Sequence, residues 1–288
     1  MNVQAYVEAI GGSKKIDRLT SGVLVVALLF MLIGVFLAFL PTVLIGIEAL
    51  SFDTLFRELR TAGAEGGIGP VLVSTFYVIG LSCLFAVPFA LVVAAYLTQF
   101  IERESKLLTL FERLLEFLAA VPSIVYGLVG NGLFCVTLGL GYSILAGALT
   151  LALMILPFLI KAFYESLYVV SKKYRVHAVS LSLSRSRFVC SLLLPSALPG
   201  LLIGFMLGLG RALAETAALL FTSGYSMRYP ASVFDSGRVL SVHIYDLSMN
   251  VVGGERLASL SATVLLLLVL FFGITVNIIQ SWWRVRNL

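Results

Sequence analysis

Charge is scarce in this sequence. Lysine, arginine, aspartate and glutamate make up 12% of its 288 residues, against 60% hydrophobic, and the mean hydropathy is +1.04. Charged residues are about a quarter of an ordinary soluble domain, so that class is excluded. Catalytic and nucleotide signatures are missing as well. There is no HExxH, no GxSxG and no phosphate-binding loop, so the chain is expected not to be an enzyme, and any ATP chemistry belongs to a partner. The three cysteines, Cys83, Cys135 and Cys190, fall in or beside apolar segments. Their spacings make neither a metal site nor a disulfide framework, and they read as small buried hydrophobes. No metal and no cofactor is expected on this chain. The net charge of +5 does not point to nucleic acid, because there is no separate basic domain and the basic residues collect in alternate loops. The lead, MNVQAYVEAIGGSKKIDRLTSG, has too long a polar stretch, followed by too long an apolar run, to read as a signal peptide. Its GGSKK lacks the spacing of a phosphate loop and is expected to be a flexible lead into the first helix.

What remains is apolar sequence in long runs. A membrane-spanning helix needs about 20 apolar residues, and six such runs lie near 21–46, 71–98, 114–137, 142–162, 197–222 and 257–282. A closed barrel needs many segments of about ten alternating residues; VLLLLVLFFGI at 264–274 is the opposite pattern. The expected fold class is all-α, a polytopic membrane protein of six transmembrane helices. The third and fourth runs form a hairpin across a short turn at Gly139–Gly141. Residues 1–20 are the polar lead and 21–288 the membrane domain.

Six spans leave both ends on one side, and the Lys/Arg bias selects the cytoplasm for it. The lead, the second-to-third and fourth-to-fifth connections and the tail carry fourteen Lys and Arg residues, against five on the opposite side. Arg211, inside a span, is the twentieth. On the outer side, SFDTLFRELR is amphipathic, and Pro70 suits the start of the second helix. Residues 223–256 read as a polar loop in which His243 is an ordinary loop residue. On the inner side, IERESKLLTLFERLLEFLAA at 101–120 has apolar residues at helical spacing opposite Glu102, Glu104, Glu112, Arg113 and Glu116. It reads as a helix lying along the membrane surface before turning inward near Pro122, or as a docking face for another subunit.

The fifth run, GLLIGFMLGLGRALAETAALLF, is the least expected. Gly200, Gly204, Gly208 and Ala212 recur every four residues and make a smooth stripe for close helix approach, which Thr216 continues. Arg211 and Glu215 are themselves four apart, on an adjoining face. Charges at membrane depth are costly and usually line a path or serve a switch. Two readings stand: a permanent ion pair that holds the bundle, or an anion path that carries Arg211 with Glu215 as its gate or counter-charge. The fixed charge and donor fork of arginine suit oxyanions.

The cytoplasmic connection YRVHAVSLSLSRSRFVCSLLLPSALPG, 174–200, resembles the coupling loop in membrane subunits of binding-protein-dependent ATP-driven importers. That loop is written EAA, three residues, G, nine residues, I, one residue, LP. Its frame lands on Val176, His177 and Ala178, on Ser182, on Leu192, and on Leu194 and Pro195. The glutamate, the first alanine and the glycine are replaced. The alternation in VSLSLSRS, 179–186, has a strand-like period of two, but the loop frame implies a short helix, and a single strand here has no partner.

Further motifs are similar to the phosphate importer's permeases: GGIGP at 66–70, VPSIVYGLVG at 121–130, ILPFLIKAFYESL at 155–167 and RALAETAALLFTSG at 211–224. Ala214 and Ala218 replace a glycine and a proline of that pattern. SVHIYDL at 241–247 points to the A-type permease rather than its C-type companion. The resemblance implies a type I importer fold and a translocation pathway shared with a homologous C-type permease. It also implies two ATPase subunits holding ATP and Mg on the cytoplasmic side, and a phosphate-binding protein outside. The pathway or gate residues would be Arg211, Glu215, Thr216 and Lys161. Snorkelling to the interface is the other reading of Lys161. The coupling loop would span 163–196, with 172–190 as its lever. A permease for another oxyanion or small solute, and a non-transporting scaffold or sensory subunit, are the alternatives.

Overall fold

A computed structural model describes residues 3–60 and 65–287. Its elements are helices α1 (Val3–Ala49), α2 (Phe52–Phe56), α3 (Gly69–Phe100), α4 (Lys106–Ala120), α5 (Ser123–Gly130), α6 (Ile144–Ser180), α7 (Arg185–Phe188), α8 (Leu194–Leu213), α9 (Ala217–Leu220), α10 (Leu240–Met249) and α11 (Glu255–Asn287). Two π-helical stretches, Asn131–Thr137 and Val189–Leu193, extend α5 and join α7 to α8. The described strands are Leu59–Arg60 and Glu65–Gly66, paired antiparallel. The fold is all-α, as composition demanded. Residues 61–64, where Ala64 of the glycine-rich outer segment falls, lie outside the described residues.

Five stretches are long and apolar enough to cross a membrane: 18–49, 69–100, 144–180, 185–213 and 255–283. A sixth crossing requires α4 and α5 together, and these meet at 90°. The expected third span, 114–137, is therefore not one helix. Pro122 has no N–H, and it drives Val121 out of the helical region to ψ 130°. Helix α4 ends at Ala120 and α5 starts at Ser123, so the chain turns near Pro122 as expected. The third-to-fourth hairpin lies where expected. Gly139 and Gly141 take φ of +69° and +61° there, which glycine adopts without steric cost, and Ser143 caps α6 by accepting from the Ala146 N–H at 3.1 Å.

The core is α6, with α3 on one side and α8 on another. Ala86, Ala90 and Ala94 of α3 are all buried. Their spacing of four brings the backbones of α3 and α6 close, the usual means of helix association without a hydrophobic drive. The glycine stripe of α8 does the same from the other side. A Cβ added at Gly200 would lie 2.9 Å from Ser166 Oγ, at Gly204 2.9 Å from Ala162 Cβ, and at Gly208 2.6 Å from Leu159 Cδ2. Thr216 falls beyond the end of α8 and does not extend the stripe.

Several expectations need correction. The lead is not a separate flexible segment: helix α1 already runs from Val3. From Leu19 to Phe39 its large apolar side chains stay exposed, while its C-terminal part packs on α11. Gly46 makes that contact possible, since a Cβ there would sit 2.5 Å from the Ser259 carbonyl. The fourth-to-fifth connection is mostly helix, because α6 continues unbroken to Ser180. Cys135 is buried, but Cys83 is half-buried and Cys190 exposed.

The segment 223–256 is not simply a loop. It contains α10, whose Leu240 N–H is bound by Thr75 Oγ1 of α3 at 2.9 Å. His243, expected in a loop, is fully buried in α10. Arg238 Nη1 lies 2.9 Å from Asp246 Oδ2 and 3.5 Å from His243 Nδ1. Arg238 Nε and His243 Nε2 have no partner among the described residues. Burial, then the Arg238 charge, push His243 down to about 4, against a smaller opposing pull from Asp246. The Tyr229 hydroxyl donates to the Phe56 carbonyl and ties this segment to the first outer loop. Gly69 leaves room for it, since a Cβ there would collide with that hydroxyl.

Two outcomes follow from this packing. Gly204→Val drives a branched side chain into Ala162 and Phe163 and should cost ~1–3 kcal/mol or more. Gly210→Ala, with nothing within 4 Å of its Cβ, should unfold like the parent; thermal unfolding of the detergent-solubilised chain separates the two. His243 stays neutral in the fold but takes up a proton near pH 6.5 when unfolded. Its contribution to stability is therefore complete above pH 6.5 and is lost as pH falls through about 4, a change of about 3 kcal/mol. His243→Gln should flatten the pH dependence of the melting temperature between 6.5 and 4; an unchanged slope would refute this assignment.

Candidate functional site

The fifth apolar run does not form one helix. Helix α8 ends at Leu213, residues 214–216 turn, and α9 resumes at Ala217. No proline or glycine occupies the break, and ALAETAALL would continue a helix by propensity. Tertiary partners hold it open. The Glu215 carbonyl accepts from the Ser241 hydroxyl of α10. Asn131 Nδ2 of the π-helical stretch donates to the Phe221 carbonyl at 2.7 Å. Gly127 of α5 packs on α9 so closely that a Cβ would lie 2.9 Å from Ala218 Cα.

The break changes the relation between the two charges. Arg211 and Glu215 form no ion pair, so the reading of a permanent intramembrane pair is overturned. Each serves a helix end instead. Arg211 stands in the last turn of α8, where the unpaired carbonyls favour a cation. Its Nη2 reaches across to the Ala119 carbonyl at 3.4 Å. Glu215 Oε1 accepts from the Ala218 N–H at 3.0 Å and caps the start of α9. Thr216, the N-cap position of α9, makes no side-chain cap bond.

Arg211 thereby reaches the other helix break. Ala119 and Leu118 are in the last turn of α4, and the Tyr126 hydroxyl donates to the Leu118 carbonyl at 2.9 Å. Arg211 from the RALAET segment and Tyr126 from PSIVYGL thus fasten the same elbow, within electrostatic range of each other. The two sequence motifs converge in space although some 90 residues apart. Lys161 comes to the same helix: its Nζ lies 2.7 Å from Glu116 Oε1, with both side chains about half exposed. Glu116 and Ala119 are three apart on α4, hence neighbours on its surface. Lys161 and Arg211 therefore meet α4 within one turn, one matched by a carboxylate and one by a carbonyl.

The coupling frame divides. Val176, His177 and Ala178 lie in the last turns of α6, with Val176 73% exposed and Ala178 buried. Ser182 follows in a four-residue turn at φ +49°, the left-handed region that a serine enters only at a cost. The strand-like alternation at 179–186 thus resolves into helix end, turn and new helix. Leu192 belongs to the second π-helical stretch, while Leu194 and Pro195 open α8; Leu192 and Leu194 pack against the hydrophobic cluster that also holds Ala178. Sequence reasoning did not single out Asn131 or Ser241. A lone amide in an apolar run was the available signal for the first; the second had none.

Known proteins bear on this arrangement in three ways. The chain is 29% identical over 252 residues to a probable ABC transporter permease protein, YqgI, of Bacillus subtilis, covering 82% of this chain and 84% of that protein. It is 33% identical over 215 residues to a phosphate transport system permease protein PstA homolog of Mycoplasma genitalium, covering 71% of this chain but only 33% of that longer protein. Its fold matches an inward-facing structure of the MetNI methionine ABC transporter with a TM-score of 0.59 at 16% identity, covering 75% of this chain and 94% of the other. Residues 86–285 match the family of the binding-protein-dependent transport system inner membrane component, a stretch that includes both helix breaks and the coupling frame. The chain belongs to that family and is a multi-pass membrane permease subunit of an ABC importer.

Proposed function

We propose that this chain is the A-type permease subunit of an inorganic phosphate importer and that Arg211 lies on the anion's path. The observation that carries the proposal is the state of Arg211: a half-buried guanidinium at a helix break, held by a carbonyl and matched by no carboxylate. A fixed cation whose partner is a neutral acceptor keeps donor capacity for a passing oxyanion. The relatives named as phosphate permeases support the substrate. Lys161, one turn away along α4, is a second basic step that trades Glu116 for the ion. Glu215 gates by releasing the α9 terminus, which lets the 214–216 turn change shape beside Thr216.

A homologous C-type permease supplies the other wall of the pathway, and a phosphate-binding protein delivers the ion from outside. Two ATPase subunits hold ATP and Mg on the cytoplasmic side, where both termini lie. The lever is 172–190. Val176, Val179 and Leu181 present exposed apolar side chains at the end of α6, next to His177 and the left-handed Ser182, and these enter the ATPase. Buried Ala178 anchors the lever to the bundle, and Leu192, Leu194 and Pro195 carry the motion into α8.

The test is phosphate uptake by the full complex in vesicles with ATP turnover measured alongside. Arg211→Gln should reduce uptake to background while subunit assembly survives; normal uptake would remove Arg211 from the path. Glu215→Gln keeps an oxygen for the Ala218 N–H but removes the charge, so the fold should hold while uptake falls or uncouples from hydrolysis. Parental values for both rates would leave Glu215 as a cap alone. For the lever, with Cys190 first replaced, cysteines placed between Val176 and Ser182 should cross-link to the ATPase in the active complex. A systematic scan without a cross-link would place the coupling contact elsewhere.

A further inference from the structure

A cavity of about 550 Å³ opens where α3 ends and α6 runs on beyond it. This volume is in the range of small-ligand sites. Three cations line it, Arg103 from the link after α3 and Lys172 and Arg175 from α6, and no carboxylate does. None of the three is in an ion pair among the described residues. The Arg103 guanidinium lies over the Tyr168 ring at 4.0 Å, a cation–π contact that holds it at the cavity wall. Hydroxyls complete the wall: Thr98, whose own proton goes to the Ala94 carbonyl at 2.7 Å, and Ser171, which is 3% exposed. Glu165 and Glu112 are near enough to act on Arg103 and Tyr164, but both stay outside the lining.

We infer that this cavity is a binding site for a phosphate-bearing anion, distinct from the Arg211 pathway. Two arginines and a lysine, with the Ser171 hydroxyl as a further donor, match a tetrahedral oxyanion. Two sources share that chemistry. One is the headgroup phosphate of an anionic lipid, drawn to the basic face of the protein as negative leaflets draw juxtamembrane cations. The other is a soluble phosphate compound. In either case the ligand sits against Val176, Val179 and Ser180, the end of α6 itself, so its occupancy bears on how that end is held relative to α3. This inference does not depend on which ion the importer carries.

Direct binding tests it on the full chain, purified and delipidated. Phosphatidylglycerol, phosphatidylcholine and inorganic phosphate are titrated separately, the lipids by native mass spectrometry and phosphate by calorimetry. Saturable binding of phosphatidylglycerol without phosphatidylcholine assigns the lipid; saturable binding of inorganic phosphate assigns the solute. Arg103→Gln/Lys172→Gln/Arg175→Gln should weaken whichever binds by at least tenfold. Lys106→Gln/Arg113→Gln/Arg187→Gln, equal in charge lost but outside the cavity, should leave it unchanged. Ser171→Phe fills the cavity with every cation kept and should also abolish binding, which separates a shaped site from diffuse attraction. The inference fails if no phosphate probe saturates, if both triple variants bind alike, or if Ser171→Phe binds as the parent does.

Discussion

Every break in a membrane helix frees backbone groups that lipid cannot hydrogen-bond, and this structure is organised around meeting that demand. Two breaks face each other: the elbow at Val121–Pro122 and the turn at 214–216. The carbonyls of α4 are taken by Tyr126 and Arg211, the carbonyl of Glu215 by Ser241, and that of Phe221 by Asn131. The Ala218 N–H is taken by Glu215. A membrane-depth charge is expensive, but less so when it replaces a partner the backbone would otherwise lack. Arg211 and Glu215 are tolerated here through separate helix ends, which leaves each able to change partner independently.

The sequence made some of this visible and hid the rest for physical reasons. The elbow was legible because proline acts locally: it removes a donor and restricts the residue before it. The hairpin at 139–141 was legible from its glycines, and the close packing of α8 from its four-residue glycine period. The turn at 214–216 was not, because its cause is remote. Ser241 and Gly127 belong to other elements, and alanine-rich sequence carries no mark of an interruption imposed from outside. The paired reading of Arg211 and Glu215 failed for that reason alone. His243 was misjudged similarly, since its burial depends on Thr75 fixing the start of α10, 165 residues away. Ser182 is the converse case: a family frame that seemed degraded at its glycine landed on a residue that does adopt the left-handed backbone.

Small residues divide the molecule mechanically. Alanines of α3 and glycines of α8 bring both helices within backbone reach of α6, so these three share one core. Close backbone approach of this kind resists gradual deformation where it occurs. Helix α1 is the opposite. Its exposed length needs lipid or another chain as its surroundings, and it adds no rigidity to that core over residues 19–39.

Helix α6 has a geometric consequence that reaches beyond the membrane. Pro157 removes one backbone bond from it, which makes that level the cheapest place to bend. From Ile160 to Ser180 the helix is an uninterrupted rod of ~30 Å at the standard rise per residue. A pivot of ~10° at the proline therefore swings the far end through ~5 Å, on the order of one helical turn. By that geometry any tilt at the level of Pro157, shared with the α8 residues seated on Leu159, Ala162 and Ser166, is magnified at Ser180 in proportion to the number of residues between them.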